Sequence, residues 1–340
     1  MVKNLKLLNF RNYARLELNF DDRPTVLVGD NAAGKSNILE AVYLLSTTKS
    51  QRVVSEIELI KQGENVTRIQ STVDSEQDLE VAMQLLEEPP LPAGRQEFKK
   101  QVKVNGVPRR SVDFIGNLPA VIFYPSDINM VTGSPSLRRW HLDVGLAQID
   151  PDYKKALSLY EQFLTSRNRV LKRIKEGLSR APELDYWTDG LVREGKVIAT
   201  KRQIFFDFIN NLVTELGEYK FKYAPSIVSL EKLNATNGRE VAAAATLIGP
   251  HRDDFGLFLN ERNMAHFGSR GEQRTATLAF KLAQLEYMAL ILGKRPVLLL
   301  DDVFSELDAN HRAHVVEIVG KQQTIIATVE LENIPKEFLN

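Results

Sequence analysis

The sequence has no cysteine among its 340 residues. That excludes disulfides and cysteine-based metal or redox chemistry, and a reducing cytoplasm is compatible with it. It also has no excess of charge. The 44 Lys and Arg residues balance 44 Asp and Glu residues, for a formal net charge of +0. Global charge therefore does not announce a nucleic-acid partner, and any DNA surface has to be a local patch. No apolar run approaches the length of a membrane span, and no signal peptide opens the chain. There is no internal repeat, no low-complexity tract and no long heptad series. The length suits one large or two modest domains with ample core.

What the chain does carry is a phosphate-binding signature in two pieces, at opposite ends. Gly29-Asp30-Asn31-Ala32-Ala33-Gly34-Lys35-Ser36 fits G-x-x-x-x-G-K-[ST]. Before it, Thr25 to Val28 is a short apolar, β-branched run that reads as a buried strand. After it, Ser36 to Ser46 has apolar residues at helical spacing. Strand, loop and helix are the context a P-loop requires. Gly29 and Gly34 are expected to permit tight turns that aim backbone N–H groups at phosphate oxygens, with the helix N-terminus adding partial positive charge. Lys35 would reach the β- and γ-phosphates, and Ser36 would ligand Mg²⁺. The expected ATP-binding set runs from Gly29 through Asn37. The bland alternative is a glycine turn capping a helix.

The second piece lies near the C-terminus. Pro296 to Leu300 is an uninterrupted apolar strand that ends in Asp301-Asp302. Asp301 would hold Mg²⁺ through water, and Asp302 would orient the attacking water as general base, Lys35 and Asp302 forming the catalytic pair. A plain turn after a strand remains the alternative for Asp-Asp. Upstream, Gln273 to Leu292 reads as an amphipathic helix with Leu278, Leu282, Leu285 and Met288 near one face. Ser269, Arg270, Gly271, Glu272 and Gln273 stand at its mouth, where a hydroxyl and free N–H groups form a second anion site. In isolation, Ser269 is more readily an ordinary N-cap.

Together these residues resemble the ATP-binding-cassette superfamily. The resemblance makes Ser269 to Gln273 the signature loop, which in that superfamily covers the γ-phosphate held by another subunit. It makes Ser305 to Asp308, with Ser305 and Asp308 as its site residues, the loop after the Mg-binding strand. Further blocks narrow the resemblance to the RecF family, which lies near the SMC ATPases. They are Leu5 to Tyr13, Tyr124-Pro125-Ser126-Asp127, Gly133-Ser134-Pro135, Arg138 to Asp143, Ser166-Arg167-Asn168 with Leu171-Lys172, Gly249-Pro250-His251-Arg252-Asp253-Asp254, and Ser269 to Thr275. They occur in order across nearly the whole chain. Ser126 departs from a usual glutamate, and Ala32-Ala33 from Gly-Ala or Gly-Ser. Thr328 stands where many cassette ATPases have a switch histidine, a departure from the superfamily rather than from RecF. Asp302 is one methylene shorter than the glutamate of transporters, so slower turnover is expected.

The resemblance implies an α/β fold: a P-loop cassette head with an antiparallel β-subdomain and an inserted compact helical lobe without a coiled coil. Residues 1–133 and 223–340 are expected to form the head, and 134–222 the helical lobe. Helices are expected over Pro151 to Lys175 and Asp189 to Leu216. Strands are expected over Ala14 to Phe20, Ser226 to Leu230, Phe255 to Leu259 and Thr324 to Val329. Residues 87–94, rich in proline, read as a surface loop.

Basic residues cluster at Lys99, Lys100, Lys103, Arg109 and Arg110, at Arg138 and Arg139, and at Arg167, Arg169, Lys172, Arg173 and Lys175. A solvated face is the commoner meaning of such clusters. Arg138, Arg139, Arg167, Arg169, Lys172 and Arg173 are the candidate phosphate contacts, without a base-reading helix. His251 and Arg252 carry no role that the residues alone assign. The resemblance implies ATP and Mg²⁺ as cofactors and an ATP-dependent homodimer that binds duplex DNA, single-stranded DNA or their junctions. It also implies a weak DNA-stimulated ATPase, RecR and RecO as partners, and a cytoplasmic, nucleoid-associated place in replication restart, repair of DNA damage and the SOS response. The alternative is a cassette ATPase that switches a protein partner, a transporter or nuclease subunit. A transport ATPase would carry a membrane-partner coupling region, and none is found.

Overall fold

A computed structural model describes residues 1–74, 76–86, 97–212, 216–307, 309–334 and 338. Residues 87–94 and Asp308 therefore lie outside the described residues. The first part of the chain runs β1 (Asn4–Phe10), β2 (Tyr13–Asn19), β3 (Thr25–Val28), α1 (Lys35–Thr47), β4 (Val66–Val73), β5 (Gln77–Leu85), β6 (Phe98–Val104), β7 (Val107–Arg109), α2 (Ser111–Phe114) and β8 (Ala120–Phe123). Then come α3 (Asn129–Thr132), α4 (Pro135–Ile149), α5 (Pro151–Lys175), α6 (Asp185–Asn211), β9 (Tyr219–Ala224), α7 (Leu230–Ala243), β10 (Asp254–Leu259), β11 (Arg262–Asn263) and α8 (Met264–Phe267). The chain continues through α9 (Arg270–Leu292), β12 (Val297–Asp301), α10 (Ala309–Val319) and β13 (Thr324–Thr328).

Two compact units result: Met1–Ser126 with Met288–Asn340, and Asp127–Tyr287. The first unit holds two sheets. One is antiparallel and six-stranded, in the order β2-β1-β4-β5-β6-β7. The other is parallel and four-stranded, in the order β3-β13-β12-β8. Helix α1 touches β4 and β5 of one sheet and β8, β12 and β13 of the other. Every residue from Ile38 to Thr47 is consequently buried. A helix covered on all sides has no use for an amphipathic stripe. The run Val297 to Leu300 is also wholly buried, as expected of a parallel strand with both faces covered.

The second unit differs in extent from the expected 134–222. Strands β9 and β10 belong to it because their aromatic side chains complete the helical core. Phe206 stacks on Tyr223 with ring centroids 4.7 Å apart, and Phe255 stacks on Phe280 of α9 at 5.1 Å. Offset aromatic contacts of this kind add to the area they bury. Helix α5 spans Pro151–Lys175 as expected, whereas α6 begins at Asp185 and ends at Asn211. The strand expected over Ser226 to Leu230 is absent. That stretch is held by side-chain hydrogen bonds instead, Ser226 N–H donating to Asp253 Oδ1 at 2.6 Å and Gly249 N–H to Ser226 Oγ at 3.1 Å. Ser229 then caps α7 by accepting from Lys232 N–H.

Candidate nucleotide-binding site

The P-loop of the first unit follows β3 and opens α1. Gly34 has φ 105°, a left-handed conformation that favours glycine. A Cβ there would lie 2.5 Å from Asn12 Nδ2 and 2.6 Å from the Tyr13 hydroxyl. The glycine requirement expected at both ends of the loop is thus steric at Gly34. A Cβ on Gly29 would make only ordinary contact, 3.6 Å from Ala33 Cβ. Ala32 also adopts positive φ, at 65°.

Asn12 and Tyr13, in the turn between β1 and β2, brace this loop. Asn12 Nδ2 donates to Ala33 O at 3.2 Å, the Tyr13 hydroxyl donates to the same carbonyl at 3.4 Å, and Asn37 Nδ2 donates to Asn12 Oδ1 at 2.9 Å. Below them Arg11 grips Glu40 through both ends of its guanidinium, Nε to Oε2 at 2.9 Å and Nη2 to Oε1 at 2.8 Å. Glu40 is only 1% exposed, so a paired, hydrogen-bonded arrangement is what makes its burial tolerable. Arg52 adds a third contact, Nη1 to Glu40 Oε2 at 3.1 Å, donates to Asn37 Oδ1 at 3.0 Å, and lies over the Tyr124 ring.

A cleft of about 430 Å³ opens here, lined by P-loop residues together with Arg52, Pro125, Asp301, Asp302 and Thr328. The Lys35 ammonium donates to Gly29 O at 2.7 Å and Asp30 O at 2.8 Å. The Ser36 hydroxyl donates to Asp301 Oδ1 at 2.8 Å. Burial raises the Asp301 carboxyl above its ordinary range, while the Ser36 hydrogen bond and the Arg52 and Lys35 charges pull it down. Asp302 ends the strand with φ 49°, its N–H donating to Ala327 O at 2.8 Å. Ser305 Oγ folds back to donate to Asp302 O at 2.8 Å.

Ser36 and Asp301 present two convergent oxygens. Among the described residues there is no cluster of three or more His, Cys, Asp or Glu fit to hold a metal. That donor set fits Mg²⁺, which commonly takes one or two protein ligands and fills its octahedron with water and substrate phosphate. Ser36 and Asp301 would hold the ion, and its charge would favour the ionised form of Asp301.

The expected signature residues lie in the second unit. Ser269 and Glu272 form a reciprocal capping box at the start of α9. Ser269 N–H donates to Glu272 Oε2 at 2.8 Å, and Glu272 N–H donates to Ser269 Oγ at 3.3 Å. Gln273 Nε2 donates to Met264 O at 2.9 Å. Arg270 is exposed, and a Cβ placed on Gly271 would meet nothing within 4 Å beyond its own helix backbone and chain neighbours. Leu278, Leu282, Leu285 and Met288 are all buried, as their spacing requires.

The candidate phosphate contacts divide by exposure. Arg167 is 2% exposed and its guanidinium is spent on Glu240 Oε2, Thr188 Oγ1 and Thr246 Oγ1. It is therefore corrected from phosphate contact to core ion pair. Arg138 likewise donates to both Asp254 oxygens, and Arg139 donates to Asp253 O. Arg169, Lys172 and Arg173 are exposed.

The block from Gly249 to Asp254 is scaffold. Asp253 accepts from Arg202, from the Tyr223 hydroxyl and from Ser226 N–H. His251 Nδ1 pairs with the Tyr160 hydroxyl at 2.7 Å, and Arg252 donates to Thr246 O. Burial lowers the His251 imidazole below its ordinary value. Burial also holds His141 well below its ordinary value, reinforced by Lys281, whose Nζ lies 3.1 Å from His141 Nδ1 and 3.4 Å from Asp127 Oδ2. Sequence reasoning gave no site role to Asn12 and Tyr13, which it named only within the block Leu5 to Tyr13, and missed Glu40 and Arg52. For Glu40 the available signal was a lone acid in an otherwise apolar helical run.

The RecF/RecN/SMC N terminal domain family matches residues 1–336. DNA replication and repair protein RecF of Bacillus mycoides KBAB4 is 35% identical, with 99% of this chain and 94% of that one covered. RecF of Bacillus cereus B4264 matches with the same identity and coverage. Among solved structures, recombination mediator protein RecF-ATP of the RecFOR pathway superposes with a TM-score of 0.86 at 29% identity, over 98% of this chain and 93% of that one. The Smc head domain of Pyrococcus furiosus, at a TM-score of 0.50 and 16% identity over 98% of this chain and 91% of that one, shares the fold.

Proposed function

The chain belongs to the RecF family, and on that premise we propose that it is an ATP-switched, DNA-binding dimer serving DNA replication and repair. The observation that carries this reading is the Ser36–Asp301 hydrogen bond beside Lys35 and Asp302, at the mouth of one cleft. Lys35 holds the β- and γ-phosphates, freed from the carbonyls of Gly29 and Asp30 by the stronger anionic acceptors. Mg²⁺ held there would supply positive charge to stabilise the phosphate group being transferred. Ser36 and Asp301 fix its place, and Asp302 orients the attacking water and accepts its proton.

Ser269 to Gln273 of a second copy meets the γ-phosphate, so ATP closes two copies together and hydrolysis releases them. DNA is held through its phosphates by the exposed Arg169, Lys172 and Arg173, with little sequence preference. The ligand is duplex DNA or a junction of duplex and single strand. RecR and RecO are the protein partners, by the pathway in which RecF relatives act, and the place of action is the cytoplasmic nucleoid. Among the described residues one helix, Arg270–Leu292, is long and apolar enough to cross a membrane, but 72% of its 18-residue apolar window is buried in the protein.

Sedimentation of the protein with and without ATP, and with and without duplex DNA, tests the reading. ATP should shift the protein to a dimer, and Ser269→Arg, which places a bulky cation at the mouth of α9, should abolish the shift. An ATP-induced dimer of normal affinity in Ser269→Arg would refute the role of the signature loop in trans.

A further inference from the structure

Arg262 occupies the two-residue strand β11, directly after a turn in which Asn260 and Glu261 both have positive φ, 47° and 63°. The pairing of Leu259 with Arg262 and of Phe258 with Asn263 fixes this hairpin against β10. A tight two-residue turn with left-handed residues at both positions is a rigid support for the side chain that follows it. From that support, Arg262 Nη2 donates to Glu272 Oε1 at 3.0 Å. The other carboxylate oxygen, Oε2, is the acceptor for Ser269 N–H. One carboxylate therefore joins the hairpin arginine to the first residue of the signature loop.

This arrangement has an electrostatic consequence. The N-terminus of a long helix attracts anions through its free N–H groups and its dipole. In this protein a carboxylate of the same helix already sits there. The Ser269 N–H and hydroxyl and the Arg262 charge hold that carboxyl below its ordinary range, which keeps Glu272 ionised. An incoming phosphate would meet a negative charge, and Arg262 is the cation that neutralises it.

We propose that Arg262 is a positioning residue for the signature loop: it pins and neutralises Glu272, so that the mouth of α9 can receive the γ-phosphate of ATP bound to a second copy. The proposal rests on the reading that the signature loop acts in trans. It makes Arg262 and Glu272 an opposed pair, since removing the cation exposes the repulsion and removing the carboxylate abolishes it.

The test is the dissociation constant of the ATP-induced dimer, measured by sedimentation for the full chain and for Arg262→Ala, Arg262→Lys, Glu272→Gln and Arg262→Ala/Glu272→Gln. Two composite sites per dimer, each with one added charge at a helix end, predict about three- to thirtyfold weaker association for Arg262→Ala. Glu272→Gln keeps an oxygen for Ser269 N–H and should associate about threefold or more tightly than the unaltered chain. The double variant should return to within about threefold of the unaltered chain, and Arg262→Lys should stay close to it. Raising the salt should shrink all these differences, because the groups are exposed. A merely structural ion pair predicts a different pattern, with both single variants weaker and the double variant about as weak as either. That pattern, or no change in Arg262→Ala, would overturn the proposal while leaving the trans reading intact. Failure of the unaltered chain to dimerise with ATP would overturn both.

Discussion

Ser36 and Asp301 lie 265 residues apart in the chain and meet through a 2.8 Å hydrogen bond in which the hydroxyl donates to Oδ1. The parallel sheet makes the meeting possible. Strand β13 pairs on one side with β3, which leads into the P-loop, and on the other with β12, which ends at Asp301. The two pieces of the phosphate signature are joined one strand apart.

Lys35 and Asp302 should separate binding from hydrolysis. Lys35→Met removes the cation paired with the phosphates and should abolish ATP binding. Asp302→Asn should keep ATP binding, block turnover and accumulate the ATP-bound dimer. Equilibrium binding of a fluorescent ATP analogue checks the first, and phosphate release with sedimentation checks the second. Unchanged ATP affinity in Lys35→Met would remove the P-loop assignment.

Gly34 should tolerate no side chain. Alanine there would adopt φ near 105° and press its Cβ within 2.5 Å of Asn12 and 2.6 Å of Tyr13. Strain of this type costs on the order of 1–3 kcal/mol. ATP affinity of Gly34→Ala should fall about tenfold or more, an energy of about 1.4 kcal/mol or more. Pairing it with Asn12→Gly should recover part of the loss, and isothermal titration of ATP reads both. Wild-type affinity in Gly34→Ala would contradict the bracing role of the β1–β2 turn.

Arg167 and Arg169 stand two positions apart and should behave oppositely. Arg167→Ala strands the Glu240 carboxylate, whose residue is 0% exposed. Breaking a buried pair from one side costs about 3–5 kcal/mol, which urea unfolding would show. Arg169→Glu combined with Lys172→Glu should leave stability within about 0.5 kcal/mol and weaken every duplex alike. Arg169→Glu/Lys172→Glu binding DNA as the unaltered chain does would move the DNA surface elsewhere.

Acid should weaken the second unit. The imidazoles of His141 and His251 are held below the ordinary value of 6.5. The unfolded chain takes up a proton at each near that pH, and the folded chain does not. Stability should therefore fall as the pH drops below about 6.5, by up to about 1.4 kcal/mol per pH unit for each histidine. The groups facing His141 are Lys281 and Asp127, and those facing His251 are Tyr160 and the Thr246 carbonyl, with the charges of Arg252, Arg139 and Asp253 nearby. Urea midpoints at pH 7.5 and 5.5 measure the effect, and His251→Gln should reduce it. A midpoint that rises on acidification would contradict the buried neutral state.

Much of the site was legible because its chemistry is local in sequence. Strand, loop and helix around Gly29 to Ser36 follow from glycine, β-branched and apolar spacing, and Leu298 to Leu300 announce a buried parallel strand by composition. Other features were not legible. The buttressing of Gly34 by Asn12 and Tyr13 depends on how a hairpin packs on a loop, which periodicity does not encode. Arg167 sits in a basic, helical, outwardly solvated-looking stretch, and only its register against α7 reveals Glu240. Which unit β9 and β10 join was not legible, because they alternate like any half-buried strand, with no mark of which core receives their aromatic faces. The Ser226 segment reads as a strand, yet side-chain hydrogen bonds rather than a strand ladder hold it.

The central claim is that ATP governs DNA retention, and fluorescence anisotropy of a labelled duplex tests it most directly. Binding is measured with ATP, with ADP and without nucleotide, across a salt series. Tight binding is predicted with ATP alone, regardless of sequence. Its log affinity should fall steeply against log salt, each phosphate contact adding about 0.9 to the slope. Equal, weak binding in all three nucleotide states would contradict the account and leave an ATPase that switches some other partner.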